Sequence, residues 1–349
     1  MSDGLLIVVE LLAIIVCCGV LPAIGLHFLM KAFAKRPAFL VKNYAGRLVP
    51  VGLGFVWPLW GVGLIGLYPL YAWSKIRSGA FFTPMSFPPF RLMLLCAIAS
   101  GAVFAFGLID DLGGTGISKG FKGHLRALAH GKLTTGAVKL FGIGATALLF
   151  AYVFLPSWYT STGLFGFGTE LANWSITRWL LTILLLGGSI ALSANFVNLC
   201  DLRPGRASKV TIVMFIVGAL LIVFNILSQY LELCYIEVPA AYSFVAQNAF
   251  FALFILLPIL ATLRFDLREQ GMLGDAGANP AGFIAGAFIA IQLGWVGLIV
   301  FFLIMLALNL ASEKFSFSRV IERNPLLSRL DRIGRMNRGQ NDTDKENAD

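Results

Sequence analysis

Charge is scarce in this sequence. Asp, Glu, Lys and Arg make up 13% of its 349 residues, about half the ~25% of an average soluble domain. With 58% hydrophobic residues and a mean hydropathy of +0.82, an ordinary soluble domain is excluded. Cysteine is sparse and unpaired: Cys17, Cys18, Cys96, Cys200 and Cys234 form no C-x-x-C pair. Four of them fall in apolar segments and read as small hydrophobes. Cys200 lies in a polar motif, where packing remains the leading reading. Histidine is rarer still, with only His27, His124 and His130. No internal repeat is evident, which argues against an inverted-repeat transporter. A transporter would also need charges deep in its spans, and only Glu10 qualifies. The N-terminal segment lacks the short apolar core and cleavage site of a secretory signal, so it reads as a retained helix.

What the chain has instead is long apolar runs. They fall near 4–29, 48–73, 90–109, 136–156, 178–199, 209–228, 238–263 and 279–312. Most are close to the ~20 residues that cross a bilayer. The last is too long for one span and carries Gln292-Leu293-Gly294-Trp295 near its middle. Splitting it into 279–292 and 295–312 predicts nine crossings; one long tilted helix predicts eight. With residues 30–47 inside, the nine-span arrangement puts 23 of the 27 Lys and Arg residues on one side. That asymmetry places the N-terminus outside and the basic end in the cytoplasm. The net charge of +9 thus reports orientation and gives no reason to expect nucleic acid.

The expected fold is all-α, a polytopic membrane helix bundle over 1–312. A basic amphipathic segment follows over 313–338, then a disordered tail over 339–349. Ser316–Arg335 mixes Leu, Ile and Val with Arg. It reads as an interfacial segment on anionic headgroups, or as an element that closes a site.

Every notable polar cluster falls in a segment assigned to the cytoplasmic face. Lys42–Arg47 is followed by Pro50–Gly54. Asp110-Asp111 ends an apolar run and precedes Lys119, Lys122 and His124. Asn195–Arg206 ends the fifth run. Arg264–Asp266 is followed by Gly274-Asp275 and Asn279. Two adjacent carboxylates at a helix end repel each other unless they face water or hold a cation. Mg²⁺ favours hard oxygen ligands, often one or two carboxylates plus substrate phosphates. Asp110, Asp111, Asp201 and Asp275 supply carboxylates, and the nearby Lys and Arg residues suit phosphate oxygens. The glycine-flanked Asp275 opens a helix whose N-terminus favours an anion. Each of these is also an ordinary cap or turn when taken alone. Their co-location on one face is what raises the reading of a Mg²⁺–diphosphate site at the membrane surface.

These residues carry a family resemblance. An Asp-Asp pair ends the third span (Asp110-Asp111). An N-x-x-N-L-x-D motif ends the fifth (Asn195, Asn198, Leu199, Asp201). A Gly-Asp motif precedes the eighth (Gly274-Asp275). In order and spacing the chain resembles the polyprenyl-phosphate N-acetylhexosamine-1-phosphate transferases, glycosyltransferase family 4. That superfamily includes the phospho-N-acetylmuramoyl-pentapeptide transferase of peptidoglycan synthesis. The resemblance implies Mg²⁺-dependent transfer of a sugar-1-phosphate from a UDP-sugar to polyprenyl phosphate, releasing UMP. It implies Asp275 as a Mg²⁺ ligand with Asp110 and Asp111 beside it. Asp110, Asp111 and Asp201 become the catalytic acids, and Asn195 and Asn198 nucleotide-sugar contacts. Lys122, then Lys119, are the candidate phosphate lysines. A phosphate monoester is largely dianionic near neutral pH, so metal binding and positioning rank ahead of a base role for the pair.

The chain departs from the pattern in four places. The peptidoglycan enzyme continues its fifth-span motif as G-L-D-G, where this chain has Leu202-Arg203-Pro204-Gly205. Arg203 and Arg206 add positive charge there, for a diphosphate or for loop carboxylates. Met272 replaces an aromatic that stacks on uracil, and a thioether packs on a base as well. A histidine cluster after the ninth span is missing, and so is a tenth span. The expectation is therefore a divergent member in the cell membrane, with its site on the cytoplasmic face and a role in cell-envelope glycan synthesis. It acts on a nucleotide sugar and a lipid phosphate, and allows a homodimer without specifying one. The rival expectation is a non-catalytic paralogue that binds a lipid-linked precursor or a membrane partner.

Overall fold

The computed structural model describes residues 3–78, 90–113, 130–132, 134–160, 174–233 and 238–335. Among these, helices dominate. α1 (Asp3–Ile15) passes through a wide turn at Val16–Val20 into α2 (Leu21–Phe33). A hairpin of β1 (Leu40–Lys42) and β2 (Leu48–Pro50) follows. Then come α3 (Val56–Ser78), α4 (Phe90–Gly113), α5 (Thr135–Thr160), α6 (Ile176–Cys200), α7 (Arg206–Leu233) and α8 (Val238–Leu267). The chain continues as α9 (Gly274–Ala290) and α10 (Trp295–Ser312), and the described part ends with the short α11 (Phe317–Arg323) and α12 (Pro325–Arg332).

Among the described residues, eight helical stretches are long and apolar enough to cross a membrane. Their outward side chains include Val62, Ile65, Leu180, Leu220, Phe224, Val300 and Leu303, all well exposed. An apolar outer surface on an apolar core is the arrangement that a bilayer accepts and water does not. This is a multi-pass helical membrane bundle. The run at 279–312 is two helices: α9 stops at Ala290, and Gly294 turns extended (ψ 173°) to start α10. At 1.5 Å per residue, the 17 residues of α9 span only about 26 Å, short of the ~30 Å apolar layer.

α9 is the axis of the bundle. Every residue from Ala276 to Ala290 is buried, and the helix packs against α4, α6 and α7. Its sequence explains why: glycine and alanine dominate it, and small residues let backbones approach closely. Gly107 of α4 shows how tight the approach is. A Cβ added there would lie 2.4 Å from the backbone oxygen of Asp275.

The hairpin ties two distant polar segments together. The Asn43 side-chain oxygen accepts from the Ala45 and Arg47 amides at 2.9 and 3.0 Å, closing the turn. Asn43 Nδ2 donates to Glu269 at 3.0 Å. The Met272 amide donates to the Pro50 carbonyl at 2.9 Å, and the Gly52 and Leu53 amides donate to the Met272 carbonyl. The segment before α9 is thereby pinned by the segment before α3.

Gly107→Ala should lower stability by about 1–3 kcal/mol, the usual cost of overpacking. Gly101→Ala on the same helix, where an added Cβ meets nothing within 4 Å, should leave stability unchanged or raised. Thermal unfolding of the two variants in detergent measures the difference, and equal melting temperatures would show that the α4–α9 approach is not limiting.

Candidate functional site

A helix that starts inside a protein must satisfy its first amide groups without water. α9 does so with Asp111. The Asp275 and Ala276 amides donate to the two oxygens of the Asp111 carboxylate, each at 2.9 Å. Gly274 makes room for it: its φ is +61°, and an added Cβ would lie 2.8 Å from an Asp111 oxygen. A carboxylate against a helix N-terminus also gains from the helix dipole. The anion position that the sequence offers to a phosphate is therefore filled by a side chain of the chain itself.

Asp111 brings Asp110 with it. Asp110 accepts from Thr135 Oγ1 at 2.7 Å and from Lys139 Nζ at 2.6 Å. Lys139 Nζ also donates to the Asp275 carboxylate. One ammonium thus joins acids from α4 and α9, and all three side chains are mostly shielded from solvent. Coulomb attraction is strong in such surroundings, and loss of one partner leaves charge uncompensated. Lys139 was not singled out from the sequence. The available signal was a lone lysine in the first turns of an otherwise apolar span.

Asp201 stands at the end of α6, where its amide donates to the Asn198 carbonyl at 3.0 Å. Its carboxyl is pushed well above the ordinary carboxylate range by burial, and further by the charges of Asp266, Asp275 and Asp111. One hydrogen bond from the Gly274 backbone works the other way. Asp110, Asp111, Asp201 and Asp275 therefore converge on one end of the bundle, around the start of α9.

The other expected residues divide. Met272 lines a cleft next to Asp201, together with Asn43, Tyr44, Arg203 and Glu269. Arg203 lies over the Tyr44 ring, 4.6 Å from its centroid, and donates to Glu322 at 2.7 Å. Arg206 is 3% exposed and grips Asp331 through Nε and Nη2, both at 3.0 Å. Both arginines thus engage acids that follow α10. Asn195 faces α10 instead of the acids, donating to Asn309 Oδ1 at 2.6 Å. Asn198 lies in the last turn of α6. Cys200 is buried beside it. Lys119, Lys122 and His124 lie outside the described residues, as does the expected disordered tail at 339–349.

The donor set suits Mg²⁺ in kind. Asp110 and Asp275 are hard oxygen donors that already converge on one positive charge, and they are the residues that would hold the ion. Asp111 is committed to backbone amides. Among the described residues, no three metal-binding side chains close on one point. A Mg²⁺ ion here would complete its shell with water and phosphate oxygens, as is common for this ion. No protein-family model matches the chain, and no curated protein matches it.

Asp201 makes a signed prediction. Its folded-state pKa lies above the unfolded one, so its contribution to stability is greatest below about pH 4 and is lost as pH rises. Asp201→Asn should therefore match the parent near pH 4 and melt at a higher temperature at pH 7. Melting curves across that range test it; an equal or lower melting temperature at pH 7 would contradict it. Asp111→Ala should cost about 1–3 kcal/mol, because two buried amides lose their acceptor. Denaturation of that variant beside the parent measures the loss.

Proposed function

We propose that this protein is a Mg²⁺-dependent sugar-1-phosphate transferase that acts on a polyprenyl phosphate within the membrane. The observation that carries the reading is the balance of charge around α9. Asp110, Asp111, Asp201 and Asp275 meet at one bundle end, where among the described residues one lysine, Lys139, bridges two of them. So acidic a site repels a phosphate unless a further cation joins it. Asp110 and Asp275 would hold a divalent ion there, whose charge would offset that of the phosphoryl group. Lys139 is the protein's own cation for phosphate oxygens. Its two carboxylate partners hold it in place before substrate arrives, which favours alignment.

The cleft beside Asp201 is the proposed nucleotide-sugar pocket. Tyr44 and Met272 offer it a flat and an apolar surface, and Arg203 a bidentate donor for diphosphate. A lipid phosphate reaches the same bundle end laterally from the bilayer. The proposed topology has nine crossings with α9 as the eighth, the N-terminus outside and the site facing the cytoplasm. The proposed donor is a UDP-N-acetylhexosamine, the product serves cell-envelope glycan synthesis, and a homodimer is compatible with this arrangement.

A second reading is favoured by one specific contact. Lys139 pairs with both Asp110 and Asp275, so a cation of the chain itself offsets part of their charge and ties α4, α5 and α9 together. A non-catalytic protein that binds a lipid-linked precursor or a membrane partner would need no more.

Protein reconstituted with undecaprenyl phosphate, a UDP-N-acetylhexosamine and Mg²⁺ should release UMP. Asp275→Asn and Lys139→Met should each lower kcat by about a hundredfold or more, the scale set by removing one charge-stabilising group. No turnover across a broad panel of nucleotide sugars, from protein that still binds lipid phosphate, would defeat the transferase reading. Survival of the cellular role in Asp275→Asn would favour the second.

A further inference from the structure

The strap formed by α11 and α12 plays no part in the transferase reading. Its height relative to the bilayer is set at both ends. α11 begins at Phe317, five residues beyond the end of α10 at Ser312, and five extended residues reach no more than about 18 Å. At the other end, the Arg206 guanidinium holds Asp331 through two bonds of 3.0 Å and Ser318 through one of 2.8 Å. Arg206 opens the membrane-length stretch Arg206–Asn225, and Ser312 closes Trp295–Ser312. Both tethers are therefore ends of membrane-length helices, which lays the strap along the bilayer surface.

The strap is built for that place. Asn324 caps α12, accepting from the Leu326 and Leu327 amides at 3.0 and 3.1 Å, with Pro325 in the first position. Leu326, Leu330 and Ile333 then share one face and are 66%, 49% and 61% exposed. Arg329 and Arg332 flank that face, and Arg319 and Arg323 project from α11; all four are exposed. The acids of the strap are used elsewhere: Asp331 is held by Arg206 and Arg335, and Glu322 by Arg203. The outward surface is apolar and cationic, which matches an anionic headgroup layer.

The inner side of the strap reaches the candidate site. Arg335 Nε donates to the Pro204 carbonyl at 2.9 Å, and Lys209 Nζ to the Asp331 carbonyl at 2.6 Å. The Asp331 carboxyl, which burial alone would raise, is held below its ordinary range by Arg206, Arg335 and Lys209. We propose that α11 and α12 bind anionic lipid headgroups, and that this contact holds the Asp201–Gly205 loop through Asp331, Arg206 and Arg335. The inference does not depend on the transferase reading.

The test is amide hydrogen exchange on the full chain in two nanodiscs. One contains phosphatidylcholine alone, the other a two-to-one mixture with phosphatidylglycerol. Exchange across 317–333 should slow by about tenfold or more in the anionic discs, the scale expected for several basic residues at a charged surface. Residues 201–206 should slow with it. Arg329→Glu/Arg332→Glu should abolish both effects. Leu326→Ser/Leu330→Ser, which leaves the charge intact, should weaken both. Asp331→Ala/Glu322→Ala/Arg335→Ala, which removes the strap's ion pairs to Arg203 and Arg206 and its bond to the Pro204 carbonyl, should keep the lipid effect on the strap and lose it in the loop. Equal exchange in the two discs, or slowing that survives charge reversal, would overturn the lipid contact. Slowing of the loop that persists in the triple variant would overturn the coupling.

Discussion

The buried N-terminus of α9 is the constraint from which the polar end of this bundle follows. A helix surrounded by other helices cannot leave its first amides to water. Asp111 meets two of them with one carboxylate, and to do so the end of α4 must lie against the start of α9. Gly107 permits that approach. Adjacency then places Asp110 near Asp275, and two carboxylates so close in a shielded setting require a cation. Lys139 supplies it from α5. Three helices are thus locked at one end by a chain of necessities that begins with two unpaired N–H groups.

Asp201 is the member of the group that lacks such compensation. The charges of Asp266, Asp275 and Asp111 oppose its ionisation, and a backbone hydrogen bond from Gly274 favours it. A half-buried acid set among other acids weakens the fold at neutral pH, and such groups concentrate where chemistry or binding needs them. Asp201 stands at the start of a loop that the strap holds from outside the bundle, through Arg206 and Arg335.

Much of the fold was legible as periods and lengths. Apolar runs near the thickness of a bilayer announced the helices, and Gln292–Gly294 announced the break between α9 and α10. The polar clusters on one predicted face announced which residues would meet. Lys139 escaped notice because a single lysine at the start of a span looks like ordinary charge bias. Asn195 reads, with Asn198, as a nucleotide-sugar contact, and three residues along a helix leave the two side chains only about 60° apart; what separates Asn195 is its neighbour on α10. There it pairs with Asn309. For Arg203 and Arg206 the sequence offers a diphosphate or nearby carboxylates, and the acids they hold, Glu322 and Asp331, lie more than a hundred residues away, too far along the chain to be read from a local motif.

By itself the sequence determined that this chain forms a membrane helix bundle, because apolar length and spacing are local properties that the bilayer reads directly. It also determined that the acids gather at one end, because charge is tolerated only outside the apolar layer. The tertiary structure alone decided what each acid does. Whether a carboxylate caps a helix, pairs with an ammonium or stands among other carboxylates depends on atoms brought within 3 Å by packing. Asp110 and Asp111 are identical neighbours in the chain, and the roughly 100° between successive residues of a helix has made one a cap and the other a partner of Lys139.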